Sequence, residues 1–418
     1  MRDITIVGCG IGGLNLGLKL IKKYGRGVTI YDKNNYVGGR VFTDKKKVKG
    51  KMVTFDTGAA RFNNNQKNIR RLIKHYGLEK NVVAIPNEWK TILTNREGIQ
   101  EQSNLYIDQI LDNFFRDIRR LSKKKLLSIT VYNLIKELYG VKVAKYVKDA
   151  YPYYSELFVI NAYDGLRMLQ GDLSNNNSFN ILGGGLSQLI DKMRKDFISR
   201  GGKIVLSHEL KNLDYNDEDK FVAKFLNLTS YEKVVVESSH LVLACDGLSL
   251  QKMKFLKKFD IMDMLKAVQV QPLFRTFAIY DKCWFKDLPK VVTNETIKYI
   301  IPIDYQKGII MISYTDGAYA KFWKKMLDDK EKQVTELNKQ LKKLFPNRKI
   351  EDPREIYNYY WEQGASYWKP NYNTDKIRDK VLKPTKLNLF ICGDSYSNHQ
   401  AWMEGALLTS NKLFKQYF

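Results

Sequence analysis

Cysteine, histidine and proline are scarce in this sequence, acidic residues are outnumbered, and no long apolar run occurs. The four cysteines, Cys9, Cys245, Cys283 and Cys392, lie far apart with no CxxC pair. That argues against a disulfide framework or a zinc site and fits a reducing compartment. The four histidines show no metal-ligand spacing and form no Ser/His/Asp set, so no metal is expected. Nine prolines with 27 glycines exclude a collagen-like chain, and 44% hydrophobic residues exclude general disorder. Without an apolar run of about 18 residues, no transmembrane helix is expected. The first apolar strand begins at Ile4, so no signal peptide is expected and the reading is cytoplasmic, meaning host cytoplasm or virion for a viral source. Against 45 Asp+Glu stand 70 Lys+Arg, a net charge of +25 over 418 residues. Such a surplus suggests contact with nucleic acid, an anionic membrane face or an acidic partner, and says nothing about the fold. Usage rich in Lys, Asn, Ile and Tyr is that of an AT-rich genome, as in a large DNA virus or a protist.

At roughly 150 residues per domain, the length predicts two or three domains. The amino terminus reads strand (Ile4 to Val7), glycine loop (Gly8 to Gly13), apolar-periodic helix, and strand (Val28 to Tyr31) ending at Asp32, a βαβ unit. Residues 71–177 read as mainly helical, with Tyr106 to Leu121 and Leu126 to Tyr151 as its periodic stretches. A second α/β piece starts at Phe179, with Gly183-Gly184-Gly185 opening a helix to Phe197 and a strand following at Lys203. Residues 251–385 alternate strand-like runs with one charged helix near 318–344, and a last strand, Leu387 to Cys392, precedes a helix from about Met403.

Gly8, Gly10 and Gly13 form GxGxxG between strand and helix. In that pattern the first glycine permits the tight turn and the second lets a pyrophosphate approach the backbone. The third lets the helix pack on the strand, and the helix's N-terminal N–H groups then face the anion. Asp32, about twenty residues on, suits the ribose hydroxyls. The pattern therefore predicts dinucleotide binding, with Ile11, Gly12 and Lys33 alongside the glycines and Asp32.

Val37-Gly38-Gly39-Arg40 resembles the second fingerprint of the flavin-dependent amine oxidase superfamily. Asp56-Thr57-Gly58-Ala59-Ala60-Arg61 resembles that family's D-x-G-A-x-R stretch, and Gly183 to Leu189 is similar to its GGM-x-QL helix start. Trp361 to Tyr367, and Gly393-Asp394 through Trp402-Met403-Glu404-Gly405-Ala406, match its two C-terminal segments. The resemblance implies an α/β fold: a discontinuous Rossmann-like FAD-binding domain from 1–70, 178–250 and 386–418, and an α+β substrate domain from 71–177 and 251–385. It implies an amine or L-amino-acid oxidase that passes hydride from the amine-bearing carbon to flavin N5. Imine hydrolysis to a carbonyl and ammonia and reoxidation by O2 to hydrogen peroxide complete the reaction. No C-terminal membrane anchor is expected, and no feature specifies an oligomer.

Carried over residue by residue, the resemblance gives the pyrophosphate to Gly39 and Arg40, with Gly58, Ala59 and Arg61 nearby. It gives adenine to the backbone at Leu210, the ribityl chain to Gly393 and Asp394, and the flavin pyrimidine to Trp402 and Met403. Tyr367 and Trp402 stand as the two aromatic walls around the substrate amine. Ser366 occupies the place where covalent members carry cysteine, which implies noncovalent FAD. Arg275 falls at or near a lysine tied to oxygen reactivity; arginine does not take that part simply, and holding a substrate carboxylate is its other reading. Arg61 matches the carboxylate-binding arginine of L-amino-acid oxidases, with a structural ion pair as the alternative. His399 lies close enough in sequence to the flavin segment to reach a substrate. Lys45 to Lys47 with Lys49 and Lys51, placed in a loop, and Lys123 to Lys125, in a helical region, read as solvated surface. Two other readings stand: a dehydrogenase or desaturase of the same fold with another acceptor, and a basic nucleic-acid-associated or structural protein that keeps the fold without turnover.

Overall fold

The computed structural model describes residues 3–95, 98–103, 105–172 and 177–418. The chain forms two compact units: residues 1–85, 170–270 and 373–418 make the first, and 86–169 and 271–372 the second. The expected cuts at 70, 178, 250 and 386 shift for reasons of pairing, and four residues of the boundary near 178 (173–176) lie outside the described ones. Strand Val82–Ile85 pairs antiparallel with Phe179–Leu182, which ties 71–85 to the first unit. The Gln251 amide donates to the Leu265 and Val268 carbonyls (2.8 and 2.9 Å), and the Tyr396 hydroxyl donates to Leu265, so residues 251–270 stay there too. Ile391 N–H donates to the Leu382 carbonyl, which holds the helix Thr374–Val381 beside the last strand.

The first unit is built on a five-stranded parallel sheet in the order Lys203–Val205, Val28–Tyr31, Ile4–Val7, His240–Leu243, Leu389–Ile391. Ile4–Val7 and His240–Leu243 are almost wholly buried apolar runs, as strands covered on both faces must be. Numbered along the chain the strands lie 3-2-1-4-5, so the order reverses between Ile4–Val7 and His240–Leu243, where open α/β sheets hold ligands at their carboxyl ends. Helix Ile11–Tyr24 leaves that point and packs against Ser187–Ser199 and Met403–Tyr417. Ile6, Leu14, Leu16, Leu20, Leu189 and Phe197 are at the centre of this core.

One correction belongs to this unit. The lysine-rich stretch after Arg40 is not a loop: Thr43–Val48 and Lys51–Asp56 form an antiparallel hairpin turned at Lys49-Gly50, both with positive φ (47° and 80°). Val48, Val53 and Phe55 bury its inner side while Lys45 and Lys47 face outward. His208–Tyr215, Phe221–Asn227 and Lys233–Ser238 form a separate antiparallel sheet.

The second unit carries a seven-stranded sheet in the order Glu355–Trp368, Val268–Ile279, Ile309–Asp316, Tyr299–Asp304, Lys290–Thr293, Trp89–Asn95, Gly98–Ser103. Residues 71–177 are thus less helical than expected, because Trp89–Asn95 pairs with Lys290–Thr293, a partner two hundred residues away. The single helix expected near 318–344 is two, Gly317–Lys324 and Lys330–Leu344, the second capped by the Asp329 carboxylate accepting from Lys332 N–H at 2.9 Å. Trp323, Phe274, Phe285 and Leu341 fill the core between sheet and helices. Among the described residues no helix is long and apolar enough to cross a membrane.

Candidate functional site

The glycine loop of the first unit divides its glycines by task. Gly8 has φ +111°, and a Cβ there would stand 2.4 Å from the Ala244 carbonyl oxygen. A Cβ on Gly13 would meet the Gly8 oxygen at 2.0 Å, so both positions are closed by backbone. Gly10 differs: its φ is ordinary (−70°), and the nearest atom to a built Cβ is the Gly38 oxygen at 3.9 Å. The loop is therefore open only over Gly10. Gly12 packs on Ala406, 3.2 Å from a built Cβ, which joins the loop to the last helix.

Helix Ile11–Tyr24 has no side-chain cap at Gly10, and no acidic residue in its first turn. Its leading N–H groups are thus presented to whatever lies over Gly10. Helix Met403–Tyr417 likewise begins at Trp402 without a side-chain cap. Its acidic residue is turned elsewhere: buried Glu404 accepts from Asn68 N–H, Ile69 N–H (3.1 Å each) and Asn68 Nδ2 (2.7 Å), capping helix Lys67–His75 instead.

Asp32 is buried at the end of Val28–Tyr31, with Oδ2 accepting Cys9 N–H at 2.6 Å and Oδ1 accepting Asn34 N–H at 2.8 Å. Burial raises its carboxyl above the usual range, and these N–H donors oppose that. Gly38 N–H donates to the Cys9 carbonyl at 2.9 Å, so the Gly38-Gly39-Arg40 segment lies directly along the glycine loop. Arg40 and Asp394, expected to hold different parts of one ligand, form a two-contact ion pair with each other, Nη1 to Oδ2 at 3.2 Å and Nη2 to Oδ1. Gly58 comes so close to Arg40 that a Cβ would stand 2.1 Å from its carbonyl, and Ala59 N–H donates to that oxygen. Asp56 Oδ1 accepts from the Thr43 hydroxyl (2.6 Å) and Leu186 N–H (3.0 Å), a structural tie between the hairpin and the Gly183–Leu186 turn.

Arg61 stacks on aromatic rings: its guanidinium carbon is 4.7 Å from the Phe179 centroid and 5.6 Å from that of Trp402. The two rings are themselves near-parallel, 6.1 Å apart. Phe179 had carried no expectation; the only hint in sequence was its aromatic type at the start of an apolar strand. Leu210 is buried on the edge strand His208–Tyr215, with a register shift immediately after it. Gly393 (φ +145°) is fixed by its N–H donating to Thr409 Oγ1 at 3.0 Å. Lys33 is exposed and His399 partly so.

The second unit holds a separate cluster. Arg275 is buried on Val268–Ile279, in register with Tyr314, and its guanidinium carbon lies 4.4 Å from that ring. Tyr314 edges on Tyr153 (5.7 Å), which edges on Tyr151 (5.9 Å), whose hydroxyl donates to buried Glu156 at 2.6 Å. Tyr367 is buried at the end of Glu355–Trp368; burial, then Glu156, Asp316, Tyr314 and Tyr153, hold its phenol well above the ordinary range. It stays protonated and serves as no base. Ser366 beside it is fully buried.

Lys298 escaped the sequence reading. It is fully buried with φ +58°, and its Nζ donates to the Lys148 and Asp149 carbonyls (2.8 and 2.9 Å) at the end of helix Val131–Ala150. Burial lowers its ammonium to about 7, with Asp149 opposing. A lone lysine among apolar residues carries no signal for this. Among the described residues no group of His, Cys, Asp and Glu is set to hold a metal ion. All four cysteines are free thiols, and burial pushes Cys9, Cys245 and Cys392 up, away from thiolate reactivity.

The model of the flavin containing amine oxidoreductase family matches residues 11–137 and 117–412. Achacin of Lissachatina fulica is 20% identical over 100% of this chain and 93% of its own. An uncharacterized protein of Acanthamoeba polyphaga mimivirus is 28% identical over 127 residues, 26% of this chain; the match spans only 24% of that viral protein. A putrescine oxidase structure from a redesign of cofactor binding superposes with a TM-score of 0.76 at 14% identity, covering 99% of this chain and 98% of that one, a likeness of fold. With its glycine loop, its reversed strand order and a family match reaching from the first helix to the last, the chain belongs to the flavin-containing amine oxidoreductase family and is an enzyme of the amine-oxidase class.

Proposed function

We propose that this enzyme oxidises an amine or amino acid with FAD held noncovalently, releasing a carbonyl compound and ammonia after the imine meets water. The observation that carries the cofactor reading is the opening over Gly10, flanked by closed Gly8 and Gly13 and by the uncapped start of Ile11–Tyr24. That cradle fits a pyrophosphate. When bound, the flavin would supply the hydride acceptor and the route for the electron pair to O2, with hydrogen peroxide as the product.

The chain's own residues take the following parts. Gly8, Gly10, Ile11, Gly12 and Gly13 with Gly39 and Arg40 bind the phosphates, and Asp32 with neighbouring Lys33 receives the adenosine ribose. Leu210 offers edge-strand backbone to adenine, and Gly58 and Ala59 support Arg40. Gly393 and Asp394 hold the polyol chain, while Met403 presents a helix N–H group to the pyrimidine ring with Trp402 beside it. Tyr367 and Trp402 are the aromatic walls for the amine, and Tyr367 acts as a neutral wall because its phenol stays protonated. Arg61, already stacked on Phe179 and Trp402, is placed to orient a carboxylate. Ser366 offers no thiol for a covalent bond to flavin.

The test is a flavin spectrum of the purified protein followed by anaerobic titration with amino acids, amines and polyamines. Bleaching by at least one class is expected. Acid precipitation should release FAD into the supernatant; flavin retained in the pellet would refute noncovalent binding. A second reading, a dehydrogenase with another electron acceptor, is favoured by arginine at position 275, buried and stacked on Tyr314. Bleaching without peroxide on admission of air would select it.

A further inference from the structure

The flavin site uses little of the +25 charge, and one part of the second unit concentrates it beside exposed apolar side chains. Helices Leu105–Asp117 and Val131–Ala150 lie against each other, burying Ile107, Leu111 and Phe114 from one and Leu134, Ile135 and Val147 from the other. Their outer faces are unusual. Leu105 is 72% exposed and Val141 61%, with Tyr106 and Leu138 also exposed. The Tyr106 ring edges on Tyr146 at 5.0 Å, which sets Leu105 and Tyr106 beside the turn bearing Val141, Lys142 and Lys145. At the other end Tyr139 donates to the Asp117 carboxylate, and Lys125 pairs with Glu137 at 2.7 Å. Arg116, Arg119, Arg120, Lys123, Lys124 and Lys136, all exposed, lie along these helices and the segment that joins them, in excess of Asp108, Asp112, Asp117 and Glu137 in the same stretch. Gly140, at φ 81° and ψ 174°, breaks the second helix between Leu138 and Val141 and turns both outward.

We infer that this helix pair is a docking surface for an anionic phospholipid bilayer. Basic side chains meet the lipid headgroups while Leu105, Tyr106, Leu138 and Val141 enter the headgroup–acyl boundary. The combination of cations and aliphatic side chains is what an interfacial lipid contact requires. It does not suit nucleic acid: Leu105 and Val141 gain nothing from phosphates.

The test is co-sedimentation of the flavin-loaded protein with vesicles of phosphatidylcholine alone and of phosphatidylcholine with phosphatidylserine, and, in parallel, titration with duplex and single-stranded DNA. Two variants accompany it: Arg119→Gln/Arg120→Gln/Lys123→Gln/Lys124→Gln, and Leu105→Ser/Val141→Ser. Exposure of all six positions leaves folding intact, checked by the thermal melt. Partition into the phosphatidylserine vesicles only is expected. Each basic residue is worth about fivefold, so the charge variant should fall at least ~100-fold and the Leu105/Val141 variant should lose at least ~10-fold. Absence of partition, partition unchanged in either variant, or DNA binding that exceeds vesicle binding and ignores Leu105→Ser/Val141→Ser would each overturn the inference.

Discussion

Replacing Gly10 and Gly13 separately by alanine divides cofactor binding from folding. The Gly13 methyl would be built 2.0 Å from the Gly8 oxygen and 3.1 Å from Ala244 Cβ, where ordinary contact is about 3.5 Å. Neither neighbour is a flexible side-chain end, so strand and helix must separate, and a loss above ~3 kcal/mol is expected. Gly10 sits at φ −70° and ψ 176°, which alanine adopts freely, with 3.9 Å to its nearest neighbour. Gly10→Ala should therefore leave the flavin-free protein unchanged or more stable by ~0.4–1 kcal/mol, since alanine restricts the unfolded chain. The methyl instead occupies the opening. An intrusion of one methyl into a fitted contact costs about 1–3 kcal/mol, or roughly 5- to 150-fold in Kd. The assay is urea denaturation of both flavin-free variants, followed by titration with FAD monitored by quenching of flavin fluorescence. Gly10→Ala binding FAD as tightly as the parent would refute the placement of the phosphates over Gly10. Equal losses of stability in both variants would refute the division of tasks.

Other expectations follow from single side chains. Arg61→Ala should abolish reduction by amino acids while sparing simple amines, measured by stopped-flow bleaching; equal loss for both would refute a carboxylate role. Glu404→Ala removes the acceptor for three N–H groups of helix Lys67–His75. It should lower stability by about 2 kcal/mol in urea titration, with Glu404→Gln intermediate. Lys298 has its ammonium lowered to about 7 in the folded protein, against about 10.4 when unfolded. Between these values the unfolded state binds the extra proton, so stability should rise with pH by up to ~1.4 kcal/mol per unit. Lys298→Met should flatten that slope in denaturation curves taken across the same range; an unaltered slope would assign it to other groups.

The sequence spoke most clearly where a few consecutive residues meet a backbone demand. Gly8, Gly10 and Gly13 between two short apolar runs are legible because tight turn, open approach and close packing are each satisfied locally. Helix Met403–Tyr417 and the strands of the parallel sheet were legible for the same reason, as runs of buried residues bounded by turns. Distant partnerships were not. The hairpin Thr43–Val48 with Lys51–Asp56 hides behind lysines, since only Val48, Val53 and Phe55 carry its buried side. Strand Trp89–Asn95 depends on Lys290–Thr293, and Glu404 serves a helix more than three hundred residues away. Arg40 and Asp394 each invite a ligand contact when read alone, whereas their mutual ion pair exists only once the chain has folded. Lys298 is the extreme case, a surface-type residue whose burial is set by carbonyls at the end of another helix.

The 3-2-1-4-5 sheet has a consequence for biosynthesis. Its strands Ile4–Val7 and Leu389–Ile391 leave the ribosome some 380 residues apart. At a translation rate of ~5–20 residues per second, the two events are roughly 20 to 75 s apart. Ile4–Val7 and Val28–Tyr31 pair with each other but lack their outer neighbours until Lys203–Val205 and His240–Leu243 are made, and His240–Leu243 then waits for Leu389–Ile391; each wait exposes a strand edge that favours association with other chains. Helix Met403–Tyr417, which closes over Gly12 through Ala406, is made after all five of these strands. Cofactor loading is thus expected only once helix Met403–Tyr417 has been made.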